Sequence, residues 1–272
     1  MYDAIVVGAR CAGSPTAMLL ARAGYRVLLV DKATFPSDTM SSHFIHPTGI
    51  ACLQRWGLLD GVVASTCPPI SRWTLDFGPF ALTGTPPPVD GVVESFCPRR
   101  TVLDKLLVDA AVAAGAELRE GFTVDELRWD GERVSGILGH TRDGESITEA
   151  ARLVIGADGM RSVVARAVQA PVYQEKPAVA CAYYTYWRDV PVAQAEIYVR
   201  ERRVVIAFPT NDGLTCTFVQ WPQDEFRANR TDVEGTFQKT LALAPELAAR
   251  TRAGTRAERY VGTADLPNYF RK

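Results

Sequence analysis

The residues best placed to do chemistry stand at the start of the chain. Gly8-Ala9-Arg10-Cys11-Ala12-Gly13 follows the apolar run Ala4-Ile5-Val6-Val7 and leads into Ser14-Pro15 and an alanine- and leucine-rich stretch ending at Gly24. A second apolar run, Val27-Leu28-Leu29-Val30, ends in Asp31. Strand, glycine turn, helix, strand and acid is the order that seats an anion at a helix N-terminus, where free N–H groups and the helix dipole favour negative charge. Asp31 lies 18 residues past Gly13, about where a carboxylate meets an adenosine ribose 2′-OH. The implied chemistry is recognition of a dinucleotide. One position departs from the fingerprint: Arg10 stands where a glycine would let backbone approach the pyrophosphate. Two readings stay open. Either Arg10 adds positive charge beside the pyrophosphate, or this is an ordinary strand–helix–strand unit with no ligand.

No second constellation competes. The six cysteines (Cys11, Cys52, Cys67, Cys97, Cys181, Cys216) are scattered, with no C-x-x-C and no Cys/His cluster. They read as reduced thiols of a cytoplasmic protein, and no metal site is expected. No Ser/His/Asp or paired-carboxylate arrangement stands out. The formal charge of −1 argues against nucleic acid or anionic membrane as a partner. The first strand starts almost at Met1, so no signal peptide is expected. No apolar run approaches the ~18 residues of a membrane span.

The elements that would position these residues alternate between two styles. A polar loop, Ser37 to His46, precedes a helix over about Thr48 to Trp56, with Gly57 past its end. Within that loop Ser41-Ser42-His43 could touch a cofactor ring, but periodicity alone favours a solvated segment. Residues 67 to 98 are Pro- and Gly-punctuated short strands. Leu103, Leu106, Leu107, Ala110, Ala111 and Ala114 then form one helical face, stopped by Gly115. Short strands over 117 to 148, with turns at Asp130-Gly131 and Asp143-Gly144, suggest a meander inserted before a separate buried strand, Leu153-Val154-Ile155. That strand opens into Gly156-Ala157-Asp158-Gly159-Met160-Arg161-Ser162 and another helix. Ala178 to Trp221 reads as long, aromatic-rich antiparallel strands, with a hairpin at Thr210-Asn211-Asp212-Gly213. Helices are expected near 233–243 and 246–252, and no element after Asp265.

Three stretches recur together in order: Gly8 to Gly13 with Asp31, Arg100-Thr101-Val102-Leu103-Asp104, and Gly156 to Ser162. The set resembles the flavoprotein monooxygenases related to para-hydroxybenzoate hydroxylase, a superfamily that also includes the geranylgeranyl reductases. The likeness is strong over residues 1 to about 170 and looser beyond. It implies an α/β fold, α+β overall: a Rossmann-like FAD-binding domain from residues 1–66 and 98–172, and an antiparallel β substrate domain from 67–97 and 173–260. It also implies roles. Gly8, Arg10, Cys11, Ala12, Gly13 and Ser14 would hold the FAD pyrophosphate, with Asp31 and neighbouring Lys32 at the adenosine ribose. Arg100 would reach the phosphate and ribityl region, or else be a surface charge beside Arg99. Val124 would offer backbone groups to the adenine, or be a plain core valine. Asp158 would face the cofactor groove, or be a turn aspartate before Gly159. Ser41, Ser42 and His43 fall where such proteins run a segment along the isoalloxazine ring, without the arginine expected there.

The implied reaction uses NAD(P)H to reduce FAD and molecular oxygen to hydroxylate a small apolar or aromatic substrate. The aromatic strands could line a pocket that excludes water; by strand alternation at least half of those aromatics must be structural. The Trp-x-Trp-x-Ile-Pro stretch of the halogenase branch and the cysteine-glycine segment of the reductase branch are absent. An FAD-dependent reductase or dehydrogenase, and a truncated non-catalytic fragment, are the alternatives. The family's closing Gly-Asp motif has only Gly262-Thr263-Ala264-Asp265 as a late counterpart, without an apolar strand before it. The expectation is therefore that 261–272 is a truncated return toward the FAD domain, and that this chain alone, a truncated form of a longer enzyme, binds FAD weakly or not at all and is poorly active.

Overall fold

The computed structural model describes residues 1–272. The chain divides into two compact units: residues 1–39, 100–173 and 271–272 form the first, and residues 40–99 and 174–270 the second. This differs from the expected division, in which 40–66 belonged with the first unit. The helical pattern of 47–56 is local, but its destination is set by partners elsewhere in the second unit. Ile45 exchanges backbone hydrogen bonds with Phe96, and the Asn211 amide donates to the Ser65 carbonyl at 2.6 Å.

The first unit is built on a six-stranded sheet in the order Glu117–Arg119, Val27–Val30, Tyr2–Val7, Ser146–Gly156, Arg133–Thr141, Phe122–Asp130. The first four run parallel; the last two join antiparallel. Val27–Val30 is buried throughout, as a central parallel strand covered on both faces requires. Ile5, Val7, Leu28 and Val30 pack on Phe122, Leu127 and Ile137 from the antiparallel strands. The helices Gly13–Arg22 and Arg100–Ala113 pack on each other. Ser146–Gly156 corrects the expected meander. Its first half pairs antiparallel with Arg133–Thr141 and its second half parallel with Tyr2–Val7. One 11-residue strand therefore replaces the two expected around polar Glu149 and Arg152.

The second unit is an antiparallel-rich sheet in the order Thr255–Arg256, Ala180–Arg188, Thr215–Pro222, Arg203–Pro209, Ala195–Arg200, Trp73–Asp76, Ala81–Gly84. Side chains alternate between its faces. Cys181, Tyr183, Trp187, Val205, Val219 and Trp221 pack against Phe237, Leu241 and Leu247 of the helices Val233–Leu241 and Pro245–Ala253. Tyr184, Tyr186, Ile206, Phe208 and Phe218 turn to the other face. The expected helix is observed as Pro47–Trp56, closed by Gly57 at φ +76°. Leu59–Ala64 is a short helix that the sequence pattern did not disclose. The end of the chain also corrects the reading. Val261–Thr263 pairs with Ala182–Tyr184 in the sheet, and Asn268–Arg271 is a strand where no element was expected. Gly262 serves that pairing, since a Cβ there would sit 2.2 Å from the Tyr183 ring. No helix of the chain is long and apolar enough to cross a membrane.

Candidate cofactor-binding site and an apolar pocket

The glycine turn of the first unit is shaped by close backbone approach. A Cβ on Gly13 would lie 1.7 Å from the Gly8 carbonyl oxygen, and one on Gly8, at φ +103°, would lie 2.4 Å from that of Ala157. Any side chain at either position would displace the turn. Ser14 is buried, and its hydroxyl donates to the Ala9 carbonyl at 2.9 Å. The Gly13–Arg22 helix then starts without a capping side chain and without an acid in its first turn. The N–H groups of Ala12 and Gly13 make no backbone hydrogen bond, and that of Cys11 reaches only its own thiol. Open N–H groups, a positive helix end and glycines that admit close contact suit a diphosphate.

Asp31 is drawn into this turn. Its Oδ2 accepts the Ala9 N–H at 2.7 Å and its Oδ1 the Ala33 N–H at 2.8 Å. A carboxylate offers about four acceptor positions, so a ribose diol can still be served. Lys32 beside it is exposed.

Arg10 and Arg100 meet on one residue that sequence reasoning left without a role. Asp104 is fully buried. Arg10 Nη1 donates to its Oδ2 at 2.5 Å, while Arg100 donates through Nε to Oδ1 at 3.0 Å and through Nη2 to Oδ2 at 2.9 Å. Arg10 also donates to Ser37 Oγ at 2.9 Å and lies over the Phe35 ring. The signal that could have found Asp104 was its spacing of four from Arg100 on a helix. The surface-charge alternative for Arg100 is set aside, because its side chain is only 13% exposed. The Cys11 residue is exposed, but its thiol lies 3.4 Å from Asp104 Oδ1. Burial pushes that thiol up to about 11; the Asp104 charge adds to the shift and Arg100 opposes it.

Asp158 and Val124 both lie in the first unit. Asp158 accepts the Ser162 hydroxyl at 2.5 Å and the Val163 N–H at 2.6 Å, at the start of the Val163–Ala167 helix. Its carboxylate is engaged with the turn that follows it. Val124 is buried in the core with Ile5 and Val7, next to an irregularity in the pairing of Phe122–Asp130.

Ser41, Ser42 and His43 belong to the second unit. The solvated-loop expectation fails at His43, which is 3% exposed and stands at φ +64°. Its Nε2 lies 2.6 Å from the Tyr186 hydroxyl, and its ring meets Tyr184 and Tyr186 edge-on. Ser41 Oγ accepts the His43 N–H at 3.0 Å. Ser42 stays exposed and lines a pocket of about 270 Å³ with Phe44, His46, Trp73, Ile197, Ile206, Phe208 and Phe218. Cross-strand neighbours build its floor: Ile197 pairs with Ile206, and Ile206 with Phe218. Phe44 and Trp73, edge-on at 4.8 Å, form a wall. No group of His, Cys, Asp and Glu side chains in the chain could hold a metal ion.

Comparison with known proteins follows this geometry. A family model described as FAD binding domain matches residues 1–260. A rifampicin monooxygenase of Rhodococcus hoagii is 30% identical over 258 residues, covering 90% of this chain and 51% of that protein. One from Streptomyces venezuelae is 32% identical over 173 residues, 60% of this chain and 33% of that protein. Digeranylgeranylglycerophospholipid reductase 2 of Methanothermobacter thermautotrophicus is 30% identical over 173 residues, covering 61% of this chain and 41% of that protein. The chain thus spans between a third and about half of these relatives. Among solved structures, the myxobacterial chondrochloren halogenase CndH superposes with a TM-score of 0.88 at 22% identity, covering 99% of this chain and 65% of that one. That likeness is one of fold.

Proposed function

The chain belongs to the FAD-binding domain family, and from that premise we propose that it is an FAD-dependent monooxygenase acting on a small apolar or aromatic molecule, with NAD(P)H as reductant. The observation that carries the reading is the open pair of N–H groups at Ala12 and Gly13 inside a turn that only glycine at 8 and 13 permits. In this reading the turn and Ser14 hold the diphosphate, and Asp31, with Lys32 beside it, receives the adenosine ribose. Arg10 and Arg100 add positive charge at the phosphates and ribityl chain, and Val124 lends backbone groups to the adenine. Asp158 shapes the turn that packs on Gly8. Bound FAD would supply the electron transfer and oxygen chemistry that no side chain here can supply. The protein's own part is to bind, orient and keep water away. The pocket between Phe44, Trp73 and the Ile206 floor, with Ser42 at its edge, suits a flat apolar substrate.

A reductase on the same scaffold is the second reading, supported by the likeness to the Methanothermobacter reductase. Titration of the purified chain with FAD, read by flavin fluorescence and visible spectrum, tests the cofactor. Oxygen uptake with NADH or NADPH, with and without aromatic additives, then separates the two readings. A monooxygenase consumes oxygen in step with substrate; a reductase does not. A chain that leaves flavin fluorescence untouched at saturating protein overturns the proposal.

A further inference from the structure

Asp104 is the most deeply held charge of the first unit, and its setting says what it is for. Its side chain is 0% exposed, while those of Arg10 and Arg100 are 26% and 13% exposed. Four donors fill its two oxygens: Arg10 Nη1 and Arg100 Nη2 on Oδ2, Arg100 Nε and the Cys11 thiol on Oδ1. No acceptor capacity remains for water or ligand. Without this carboxylate, two like charges would face each other and separate. With it, the cluster keeps a net charge of +1, and both arginine side chains stay partly exposed while the acid does not. Arg10 comes from the glycine turn and Arg100 from a helix start 90 residues later, so one buried acid sets both. Ser37 Oγ and the Phe35 ring hold Arg10 from its other side.

We propose that Asp104 is a positioning residue that fixes Arg10 and Arg100 as one pair of phosphate-binding guanidiniums beside the open N–H groups of Ala12 and Gly13. The inference rests on the FAD reading above. It explains how an arginine can stand where the fingerprint has glycine: the side chain is drawn aside onto Asp104, and the backbone of the turn is left open. It also makes the geometry of the guanidinium matter, and not its charge alone. Arginine offers a planar fork that reaches Asp104 and Ser37 together, whereas a lysine ammonium is a single point of charge.

Geometry and charge predict opposite outcomes. If only charge mattered, Asp104→Asn would raise the net charge of the cluster and tighten FAD, with a steeper salt dependence. As a positioning residue, its loss frees the two arginines, and the dissociation constant for FAD rises by about tenfold or more. Arg10→Lys keeps the charge and sits at a partly exposed position, so it tests the same point in a chain that folds. It should weaken FAD by about tenfold, leave the salt dependence of binding unchanged, and leave the melting temperature of the apoprotein unchanged. Fluorescence titration of wild type, Arg10→Lys and Asp104→Asn with FAD at low and high salt, beside apoprotein melting curves, decides. If Asp104→Asn does not fold, Arg10→Lys decides alone. Wild-type affinity in Arg10→Lys, or tighter binding in Asp104→Asn, overturns the inference and leaves the FAD reading intact. A wild-type chain that binds no FAD overturns both.

Discussion

Asp31 accepts the backbone N–H of Ala9 at 2.7 Å, so the acid that ends the second strand also braces the glycine turn after the first. Ala9 is fully buried, and its N–H can find no water in place of that carboxylate. The two features that sequence treats as separate parts of a fingerprint are one mechanical unit. A ribose bound at Asp31 would therefore report directly on the glycine turn.

Asp31→Ala should weaken FAD binding by roughly 1.5–3 kcal/mol, the range for hydrogen bonds to a charged group. The apoprotein should also lose about 1–3 kcal/mol of stability, because a buried N–H is left unsatisfied. Flavin titration and denaturant unfolding of the apoprotein read the two effects separately. A destabilised variant with unchanged FAD affinity would leave Asp31 as a brace only.

Asp158→Ala removes the acceptor of the Val163 and Val164 N–H groups at the start of the Val163–Ala167 helix and should cost about 0.5–2 kcal/mol of stability. Ser162, whose hydroxyl also accepts the Ala165 N–H at 2.9 Å, retains part of the cap. FAD affinity separates the two roles weighed for this residue. A loss of affinity in Asp158→Asn, which preserves an acceptor for Val163, would place the carboxylate's charge at the cofactor. Equal affinity would confine Asp158 to the turn.

What was legible followed from local period. The strand–turn–helix–strand start, the Arg100–Ala113 helix and the two-faced aromatic strands could all be read from spacing. The alternation that puts Tyr183 and Trp221 on the helix-covered face and Tyr184 and Phe218 on the other is the period of a strand. Long-range choices were not legible. Arg10 finds Asp104 across 94 positions, so the fate of the anomalous arginine could not be read from the turn. Ser146–Gly156 looked like two strands because its neighbour changes midway, and its burial pattern changes with it. Residues 40–66 carry a clear helix, but no local pattern says which sheet will receive it.

The pocket floor gives a third test. Ile206→Trp enlarges a side chain that pairs across strands with both Ile197 and Phe218, and should fill much of a cavity of about 270 Å³. Binding of small aromatic ligands, measured by calorimetry or by stimulation of NAD(P)H oxidation, should fall about tenfold or more, since each lost kilocalorie and a half is a decade. FAD affinity should not change, because the substitution lies in the other unit's sheet. Overpacking could cost about 1–3 kcal/mol of stability, so unfolding curves accompany the measurement. Unchanged aromatic binding in a folded variant would move the substrate site elsewhere.

Cys11 supplies the last test, because two features of its position act against each other. A thiol at a helix N-terminus is ordinarily made more acidic by the open N–H groups and dipole. Here burial of Sγ pushes the thiol up to about 11, with Asp104 adding to the shift and Arg100 working against it. The sign is fixed by ionisation: the thiolate is the reactive form, so a raised value leaves Cys11 protonated throughout the neutral range. At pH 8 its alkylation by iodoacetamide should be slower than that of an ordinary exposed thiol by on the order of a hundredfold, and its rate should keep rising until about pH 11. Peptide mass spectrometry after timed alkylation at a series of pH values reads this site apart from the other five cysteines. Asp104→Asn removes the neighbouring negative charge and should speed the reaction at every pH below the plateau. Rapid labelling of Cys11 in the wild-type chain at pH 8 would show that Sγ does not rest against Asp104.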